Sequence, residues 1–210
     1  THLRLLNAYL MRKGISTITV SIKTGNVIAY IFLKMISTIC RIKKARVPLI
    51  TAINESHPAL FKALAPLFTL LDALSITIKD LICIQLPLKL GKTVLVEEYL
   101  AATILDYFVM LRVRKVISNR CFTIIYKLCE SLSALHTQKR CIVFFFDTRD
   151  DILFKRYKNR GSFRERILYL KMQRFLLPKL YLKLLDPQIF FIDTSNSIPD
   201  IQRFLRNNIS

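Results

Sequence analysis

The chain has 210 residues, of which 52% are hydrophobic and 22% are charged, as expected for one ordinary globular domain. This composition excludes a disordered tail and a highly charged repeat. The longest stretch without Lys, Arg or Glu runs from Ala63 to Ile78 and is interrupted by Asp72. Because a bilayer-spanning helix needs roughly 20 mostly apolar residues, we expect a soluble, cytoplasmic protein with no membrane partner.

The charge balance is strongly positive, with 33 Lys and Arg residues against 14 Asp and Glu residues and a net charge of +19. A field of this sign attracts phosphate groups, whether these belong to nucleic acid, lipid or nucleotide. The basic residues are scattered, and the densest short cluster runs only from Arg41 to Arg46. The charge therefore predicts a phosphate-bearing partner without identifying it, and most basic side chains are expected on a solvated surface.

The five cysteines and three histidines are also scattered and show neither a CxxC pair nor metal-ligand spacing. This usage predicts reduced, mostly buried thiols in a reducing compartment and gives no reason to propose a metal site built from them.

The first half of the chain contains alternating helical and extended patterns. In chain order we predict a helix from the first residue to Lys13, a strand over 16–22, a buried helix over 27–42, irregular structure over 43–58, a helix over 66–86 and a strand over 93–96. Gly14 follows the basic end of the first helix, which is a typical C-terminal signal. A helix that begins at the first residue suggests that a preceding segment is missing.

The second half continues the alternation. Here we predict helices over 99–112 and 118–135, a strand over 141–146, helices over 150–159 and 163–185, a strand over 189–192 and a last helix over 199–207. Strands that alternate with helices of a dozen or more residues indicate a parallel sheet covered on both faces. The predicted fold class is α/β, in a single domain over residues 1–210.

Acidic residues follow three of the predicted strands. Glu97, Asp147 and Asp193 each stand at the carboxyl end of a strand, where ligands bind in parallel sheets. Carboxylates at these positions could hold Mg²⁺ or accept a proton. The alternative is that Asp147 and Asp193 cap the helices that follow them.

A short Gly-Lys-Thr sequence at residues 91–93 imitates the end of a phosphate-binding loop. The full motif requires a glycine where this chain has Leu86. It also requires a strand before the loop and a helix after it, because the helix N-terminus supplies the N–H donors. Here the predicted order is helix, loop, strand, so we do not assign a nucleotide site to it.

Two arginines offer a sharper indication of phosphate chemistry. Arg156 and Arg160 are four residues apart, which places them on one helix face, and Gly161 follows. A guanidinium group presents five donors in a planar fork that suits the oxygens of a transferring phosphoryl group. A basic, solvent-exposed helix end is the alternative interpretation.

Taken together, the order and spacing of these segments resemble the thymidylate kinase family of P-loop nucleoside-monophosphate kinases. The resemblance covers nearly the whole chain. Residues 1–10 look like the helix that follows the GxxxxGK[ST] loop, residues 91–99 look like the segment ending in Asp-Arg-Tyr, residues 147–161 look like a strand end, helix and arginine-bearing lid, and residues 192–195 resemble the loop near the adenine. The implied fold is a P-loop NTPase-like three-layer α/β/α arrangement whose first strand and Gly-rich loop are missing from the chain.

The resemblance also implies residue roles. Glu97 would help to position Mg²⁺ and the acceptor phosphate, with Thr1 as the Thr of the motif at the same ion, and Arg156 and Arg160 would close over the phosphates within a lid at about residues 156–166. The segment Asp193, Thr194 and Ser195 would lie near the base of ATP. The implied substrate-binding residues are Lys23, Phe68, Asp72 and Tyr99.

Several positions depart from the family pattern. Glu98 replaces the Arg of Asp-Arg-Tyr, so an anion stands where the family has a phosphate-binding cation. In the helix that grips thymine, Phe68 is displaced by one residue and Ala73 occupies the Arg position. These departures concern base specificity and activity, whereas the fold assignment depends on element order.

Three functions remain open from the sequence. The first is a thymidylate-kinase-like enzyme that moves the γ-phosphoryl group of Mg-ATP to a (deoxy)nucleoside monophosphate such as dTMP, with little activity expected from these 210 residues alone. The second is a non-catalytic nucleotide-binding relative. The third, a basic nucleic-acid-binding protein, rests only on net charge, because no recognition motif is present. The family commonly dimerises, and Ile104, Phe108 and Leu111 could form such a surface or belong to the core.

Overall fold

The computed structural model of the protein describes residues 2–42, 49–135, 141–147, 152, 166–185, 187–194 and 197–208. In chain order these residues form α1 (His2–Arg12), β1 (Thr17–Val20), α2 (Val27–Ile39), α3 (Leu49–Ser56), α4 (Pro58–Asp80), a π-helical turn (Leu81–Gln85), α5 (Leu86–Lys89), β2 (Thr93–Val96), α6 (Leu100–Arg112), α7 (Asn119–Ala134), β3 (Ile142–Asp147), α8 (Arg166–Leu185), β4 (Gln188–Asp193) and α9 (Ile198–Asn207). The protein is therefore mixed α/β, as predicted. Within these ranges, no helix combines the length and apolar character needed to cross a membrane.

The four strands within the described ranges form two parallel pairs. β1 pairs with β2 in a register that runs from Thr17 opposite Thr93 to Val20 opposite Val96. β3 pairs with β4, and this register ends with Asp147 opposite Asp193. The prediction of parallel pairing is confirmed, and the described strands form two sheets of two strands each.

The chain divides into two compact units. The first comprises Thr1–Ser21, Leu81–Glu97 and Thr137–Ser210, and it contains all four strands. Its buried cluster is formed by side chains from α1, β4 and α9, namely Leu6, Leu10, Ile192, Ile201 and Leu205. Leu95 of β2 and Phe144 of β3 pack against this cluster. Both strand pairs therefore contribute to one hydrophobic core.

The second unit comprises Ile22–Asp80 and Glu98–His136 and is helical in its described part. The long helix α4 is its centre, because α2, α3 and α7 all pack against it. Its buried face includes Phe61, Phe68 and Asp72, of which the last is a carboxylate inside an otherwise apolar environment. α6 adds the buried aromatic side chain of Tyr107.

The predicted strands agree with the structure to within two residues at each end, and most predicted helices agree to within three. Two predictions were wrong. Residues 49–56, expected to be irregular, form α3, because Pro48 and Pro58 bound this helix in the sequence rather than break it. The following helix begins at Pro58 and not near Pro66, since proline is tolerated in the first turn where its missing N–H has no partner to lose. The predicted helix over 150–159 falls almost entirely outside the described residues.

Candidate functional site

The turn formed by residues 23–26, which we call the 23–26 turn, precedes α2 in the second unit. Thr24 Oγ1 donates a hydrogen bond to Asp106 Oδ2 at 2.9 Å, which ties the turn to α6. The side-chain amide of Asn26 donates to the carbonyl oxygen of Lys23 and closes the turn on itself. The turn is therefore held both by its own side chains and by a neighbouring helix.

Helix α4 supplies the groups that satisfy the start of α2. The N–H of Gly25 donates to Asp72 Oδ1 at 2.8 Å, and the N–H of Ala29 donates to Ser75 Oγ at 3.1 Å. Asn26 stands at the N-cap position, yet its side chain makes no capping bond. Because the first N–H groups of a helix have no partner within it, Ser75 takes over part of the capping role from a different helix, while Asp72 binds the turn that precedes α2.

Asp72 also contacts an aromatic cluster. Tyr107 Oη donates to Asp72 Oδ2 at 3.0 Å. The Tyr107 ring stacks on Phe68 with centroids 6.3 Å apart, and Phe61 lies on Phe68 with centroids 5.8 Å apart. Phe68, Asp72 and Tyr107 are all 0% exposed. The cluster is therefore closed to solvent, so a ligand reaches these side chains only after they rearrange.

Burial dominates the electrostatics of this carboxylate. It raises the pKa of Asp72 to about 7, and the nearby Asp106 also raises it, whereas hydrogen bonds from Gly25, Tyr107 and the backbone of Asn26 lower it. Burial likewise raises the pKa of Tyr107 well above its ordinary value, with the Asp72 charge as a further cause. Asp72 therefore changes protonation state near neutral pH while Tyr107 keeps its proton and remains a donor.

Lys23 and Glu98 form an ion pair at the surface of the same unit. Lys23 Nζ lies 3.2 Å from Glu98 Oε2, and the two side chains are 49% and 43% exposed. An exposed pair of this kind contributes little stability. Its chemical consequence is that Lys23 balances the charge of Glu98.

Tyr99 lies deeper in the second unit. Its hydroxyl group donates to Asp80 Oδ1 at 3.1 Å, and both residues are buried. Of the predicted substrate-binding residues, the structure thus brings Lys23, Phe68 and Asp72 to one region around the 23–26 turn, with Tyr99 engaged elsewhere in the same unit.

The first unit carries carboxylates at its strand ends, as predicted. Asp147 and Asp193 are register partners at the carboxyl ends of β3 and β4. Arg174 of α8 reaches across to this end, where its Nε lies 2.8 Å from Asp147 Oδ2. The N–H of Thr194 donates to the carbonyl oxygen of Asp147 at 2.7 Å and extends the pairing by one residue.

Glu97 directly follows β2, and its N–H donates to the carbonyl oxygen of Val20 at 2.9 Å. Its side chain is exposed. A carboxylate is the kind of oxygen ligand that Mg²⁺ prefers in proteins. The residue type, its exposure and its place at a strand end therefore fit the predicted role of Glu97 at a magnesium ion.

Four predicted site residues and most of the lid lie outside the described part of the chain. These residues are Thr1, Arg156, Arg160 and Ser195, and the lid is the segment at about 156–166. Their roles stay predictions.

Sequence reasoning missed Tyr107 as the partner of Asp72 and Asp106 as the partner of the 23–26 turn, and it missed Arg174. One signal for the first pair was available: Asp72 is the only charged residue between Ala63 and Ile78. A carboxylate within such an apolar helix must be buried, and a buried carboxylate requires hydrogen-bond donors. The pairing of Arg174 with Asp147 spans 27 residues, and no local pattern indicates it.

Comparison of the chain with protein-family models gives no match, and comparison with curated proteins gives no significant match either. The geometry within each unit is therefore the basis of the functional argument.

Two residues with positive φ lie in the 23–26 turn and directly after it. Gly25 has φ +74°, and Val27, a β-branched residue, has φ +46° at the start of α2. A Cβ atom on Gly25 would lie 3.2 Å from Leu33 Cδ1, and Leu33 is buried. Gly14 has a nearly identical φ of +77° but has open space where its Cβ would be. An alanine at Gly14 would therefore introduce backbone strain alone, whereas an alanine at Gly25 would introduce the same strain together with a close contact to Leu33.

We expect Gly14→Ala to lower the free energy of unfolding by about 1 kcal/mol, because alanine is strained in the left-handed region. Gly25→Ala should cost roughly 2 kcal/mol or more, because Leu33 must also move. Urea unfolding followed by circular dichroism measures both values. Equal losses for the two variants would contradict the close packing of the 23–26 turn against Leu33.

Proposed function

We propose that this chain is a thymidylate-kinase-like domain with a P-loop NTPase-like three-layer fold, acting in phosphoryl transfer from ATP to a (deoxy)nucleoside monophosphate. The observation that carries the proposal is the arrangement of strands in the first unit. Two parallel pairs share one hydrophobic core, yet the described strands do not form one sheet. A two-stranded sheet is marginally stable by itself, so we propose that the two pairs belong to one parallel sheet in which another strand would lie between β2 and β3.

The backbone hydrogen bonds show which edge of β2 and which edge of β3 have no partner among the described strands. The N–H groups of Thr93 and Glu97 donate to carbonyl oxygens of the β1 segment, so the odd-numbered residues of β2 face β1. The backbone groups of Val94 and Val96 consequently point to the opposite edge. In β3, the carbonyl oxygens of Cys141 and Asp147 accept from the β4 segment. The backbone groups of the even-numbered residues of β3 therefore point away from β4.

No strand of the described ranges pairs with either of these two edges. Both strands are mainly apolar, β2 over residues 94–96 and β3 over residues 142–146, which is typical of central strands of a parallel sheet. A further parallel strand between them would join both pairs into one sheet of five strands. In the family that the sequence resembles, such a strand comes before the Gly-rich phosphate-binding loop, and α1 would follow that loop.

The proposed roles of the residues follow from this placement. Glu97, at the end of β2, would hold Mg²⁺, which when bound neutralises charge on the ATP phosphates. Thr1 would hold the same ion, and Arg156 and Arg160 would close over the phosphoryl group. Asp193, Thr194 and Ser195 would lie near the base of ATP.

The acceptor nucleotide would bind in the second unit. Lys23 would approach its phosphate, and the proposed contacts to the nucleoside come from Phe68, Asp72 and Tyr99. These residues position the acceptor and exclude water, which is the main contribution that a kinase makes to phosphoryl transfer. A cytoplasmic location is part of the same proposal.

A non-catalytic nucleotide-binding relative is the second candidate, and two observations favour it. Phe68 and Asp72 are closed to solvent and engaged with Tyr107. Lys23, the proposed phosphate ligand, is paired with Glu98. Both arrangements must change before an acceptor monophosphate can bind, whereas ATP binding at the strand ends of the first unit requires neither change.

Isothermal titration calorimetry with Mg-ATP and with dTMP tests the proposal on two proteins. One is the 210-residue chain, and the other is the same chain with a strand and a GxxxxGK loop of the kinase type fused ahead of Thr1. We expect ATP to bind only the longer protein, because the fused strand would fill the proposed position between β2 and β3 and present the phosphate loop. We expect dTMP to bind both proteins, because its site lies in the second unit.

Two variants of the longer protein sharpen the test. Glu97→Gln should weaken Mg-ATP binding by about tenfold or more, because it removes an anionic oxygen ligand, while the neighbouring Glu98→Gln should leave it nearly unchanged. Binding of ATP without dTMP would favour the non-catalytic relative. Binding of neither nucleotide to either protein would contradict both candidates.

We further propose that the protein forms a homodimer through α2. Val27, Ile31, Met35 and Ile39 follow one another at intervals of four residues, and all of them are exposed, Ile39 to 72%. Such an i±4 row is the ridge that packs into the groove of another helix. None of the four residues is charged, so two copies can approach along this row despite a net charge of +19. Of the residues considered from the sequence, Ile104 is buried, and Phe108 and Leu111 are partly buried.

Light scattering coupled to size-exclusion chromatography should give twice the chain mass of 24.5 kDa for the unmodified protein. Ile31→Glu should give the monomer mass, because it places a charge at the centre of the row. Val113→Glu, which also replaces an exposed aliphatic residue of the second unit, should leave the dimer intact. A monomeric unmodified protein, or a dimer disrupted only by Val113→Glu, would contradict the proposed interface.

A further inference from the structure

A single buried carboxyl group connects three parts of the second unit. Asp72 of α4 accepts hydrogen bonds from the N–H of Gly25 in the 23–26 turn and from the hydroxyl group of Tyr107 on α6. The acceptor atoms of both bonds are inaccessible to solvent, since the Asp72 side chain is 0% exposed. The turn is therefore attached to α4 through a titratable group that has no direct access to water.

Backbone strain next to the 23–26 turn favours movement of the turn away from α4 once the hydrogen bond to Asp72 is lost. Val27 has φ +46° although it is β-branched, a conformation that persists only when surrounding contacts enforce it. The remaining bonds of the turn, from Thr24 to Asp106 and from Asn26 to Lys23, involve partly buried or exposed groups. The Asp72 contact differs from these bonds in that its acceptor side chain is 0% exposed.

We propose that Asp72 is a proton-linked latch of the 23–26 turn, which is closed while Asp72 carries a proton and opens when that proton passes to water. In the closed state a neutral carboxyl group still accepts from the N–H of Gly25 through Oδ1, and its Oδ2 still accepts from the hydroxyl group of Tyr107. In the open state Asp72 reaches solvent as a carboxylate. The aromatic pair Phe68–Tyr107 then becomes accessible to water on the side where Asp72 had covered it. The inference does not depend on kinase activity.

The surrounding charges agree with this direction. The titratable groups around the cluster are Asp106 and Tyr107 on α6, Cys121 and Cys129 on α7, Asp80 on α4 and Lys23 in the turn. Asp106 opposes a second negative charge at Asp72. Cys129 stays neutral, because burial raises its pKa to about 12, and Lys23 is paired with Glu98. The charged side chains of α2 and α3, Lys34 and Glu55, are exposed.

The sign of the pH dependence follows from linkage. The closed state binds the Asp72 proton with a pKa of about 7, whereas an exposed aspartate has a pKa of about 3.9. The equilibrium constant for opening therefore increases as pH rises from the lower to the higher of these two pKa values. Above the higher pKa it stays constant. Any stability that the protonated contact gives to the turn is full in acid and is lost as pH rises through about 7.

Native-state hydrogen exchange of the Gly25 and Asn26 amides, corrected for intrinsic exchange rates, measures the opening constant on the full 210-residue chain. We expect it to rise by about tenfold per pH unit from about pH 5 to 6.5 and to level off above about pH 7. Low concentrations of urea should not change it, because the opening is local. Asp72→Asn, which keeps the Oδ1 acceptor, should make the constant independent of pH, and the exposed Asp200→Asn should leave the slope unchanged.

A flat profile in the unmodified protein, or the same slope in Asp72→Asn, would overturn the latch. Exchange that follows global unfolding in urea would also overturn it. Tyr107→Phe is a second variant if Asp72→Asn does not fold. Loss of the Tyr107 hydroxyl removes a bond that lowers the pKa of Asp72, so the levelling-off should move to higher pH. An unmoved profile in Tyr107→Phe would count against the latch.

Discussion

The second unit is organised around one carboxyl group that cannot reach water. Asp72 lies within an apolar helix, and burial without donors would be strongly destabilising. Its donors come from the backbone of Gly25 and the hydroxyl group of Tyr107. These bonds fix where α2 begins and hold α6 against α4. They also explain why a strained turn, with Gly25 and Val27 at positive φ, is kept at this position.

The first unit obeys a different constraint, which is the pairing of backbone groups in a sheet. Its two parallel pairs share one core through Leu95, Phe144 and Ile192. Their apolar strands have edges that the described strands do not pair. The proposal of a phosphoryl-transfer domain depends on filling this position, since a strand there would bring a phosphate loop next to the carboxylates at the strand ends. In the first unit, function thus depends on whether another strand pairs with the open edges of β2 and β3. In the second unit, it depends on whether a ligand can reach the buried cluster around Asp72.

Element order, the parallel pairing and the acidic residues at strand ends were predictable, because hydrophobic periodicity and β-branched runs are local properties of the sequence. The strand at 93–96 was predicted to the residue. The partners of Asp72 were not predictable, because Gly25 and Tyr107 are 47 and 35 residues away. The error at residues 49–56 arose because proline marks a helix boundary as readily as it interrupts a helix. The pairing of Glu98 with Lys23 was not predictable either, because it depends on tertiary structure.

The most direct test of the account is the titration of Asp72 itself, followed through the ¹³Cγ chemical shift of this side chain in the full chain. If Asp72 is buried against α4 and bonded to the 23–26 turn, the midpoint should lie near pH 7. A midpoint near pH 4, the ordinary value for an exposed aspartate, would show that the carboxylate is solvated, and it would contradict both the closed cluster and the latch.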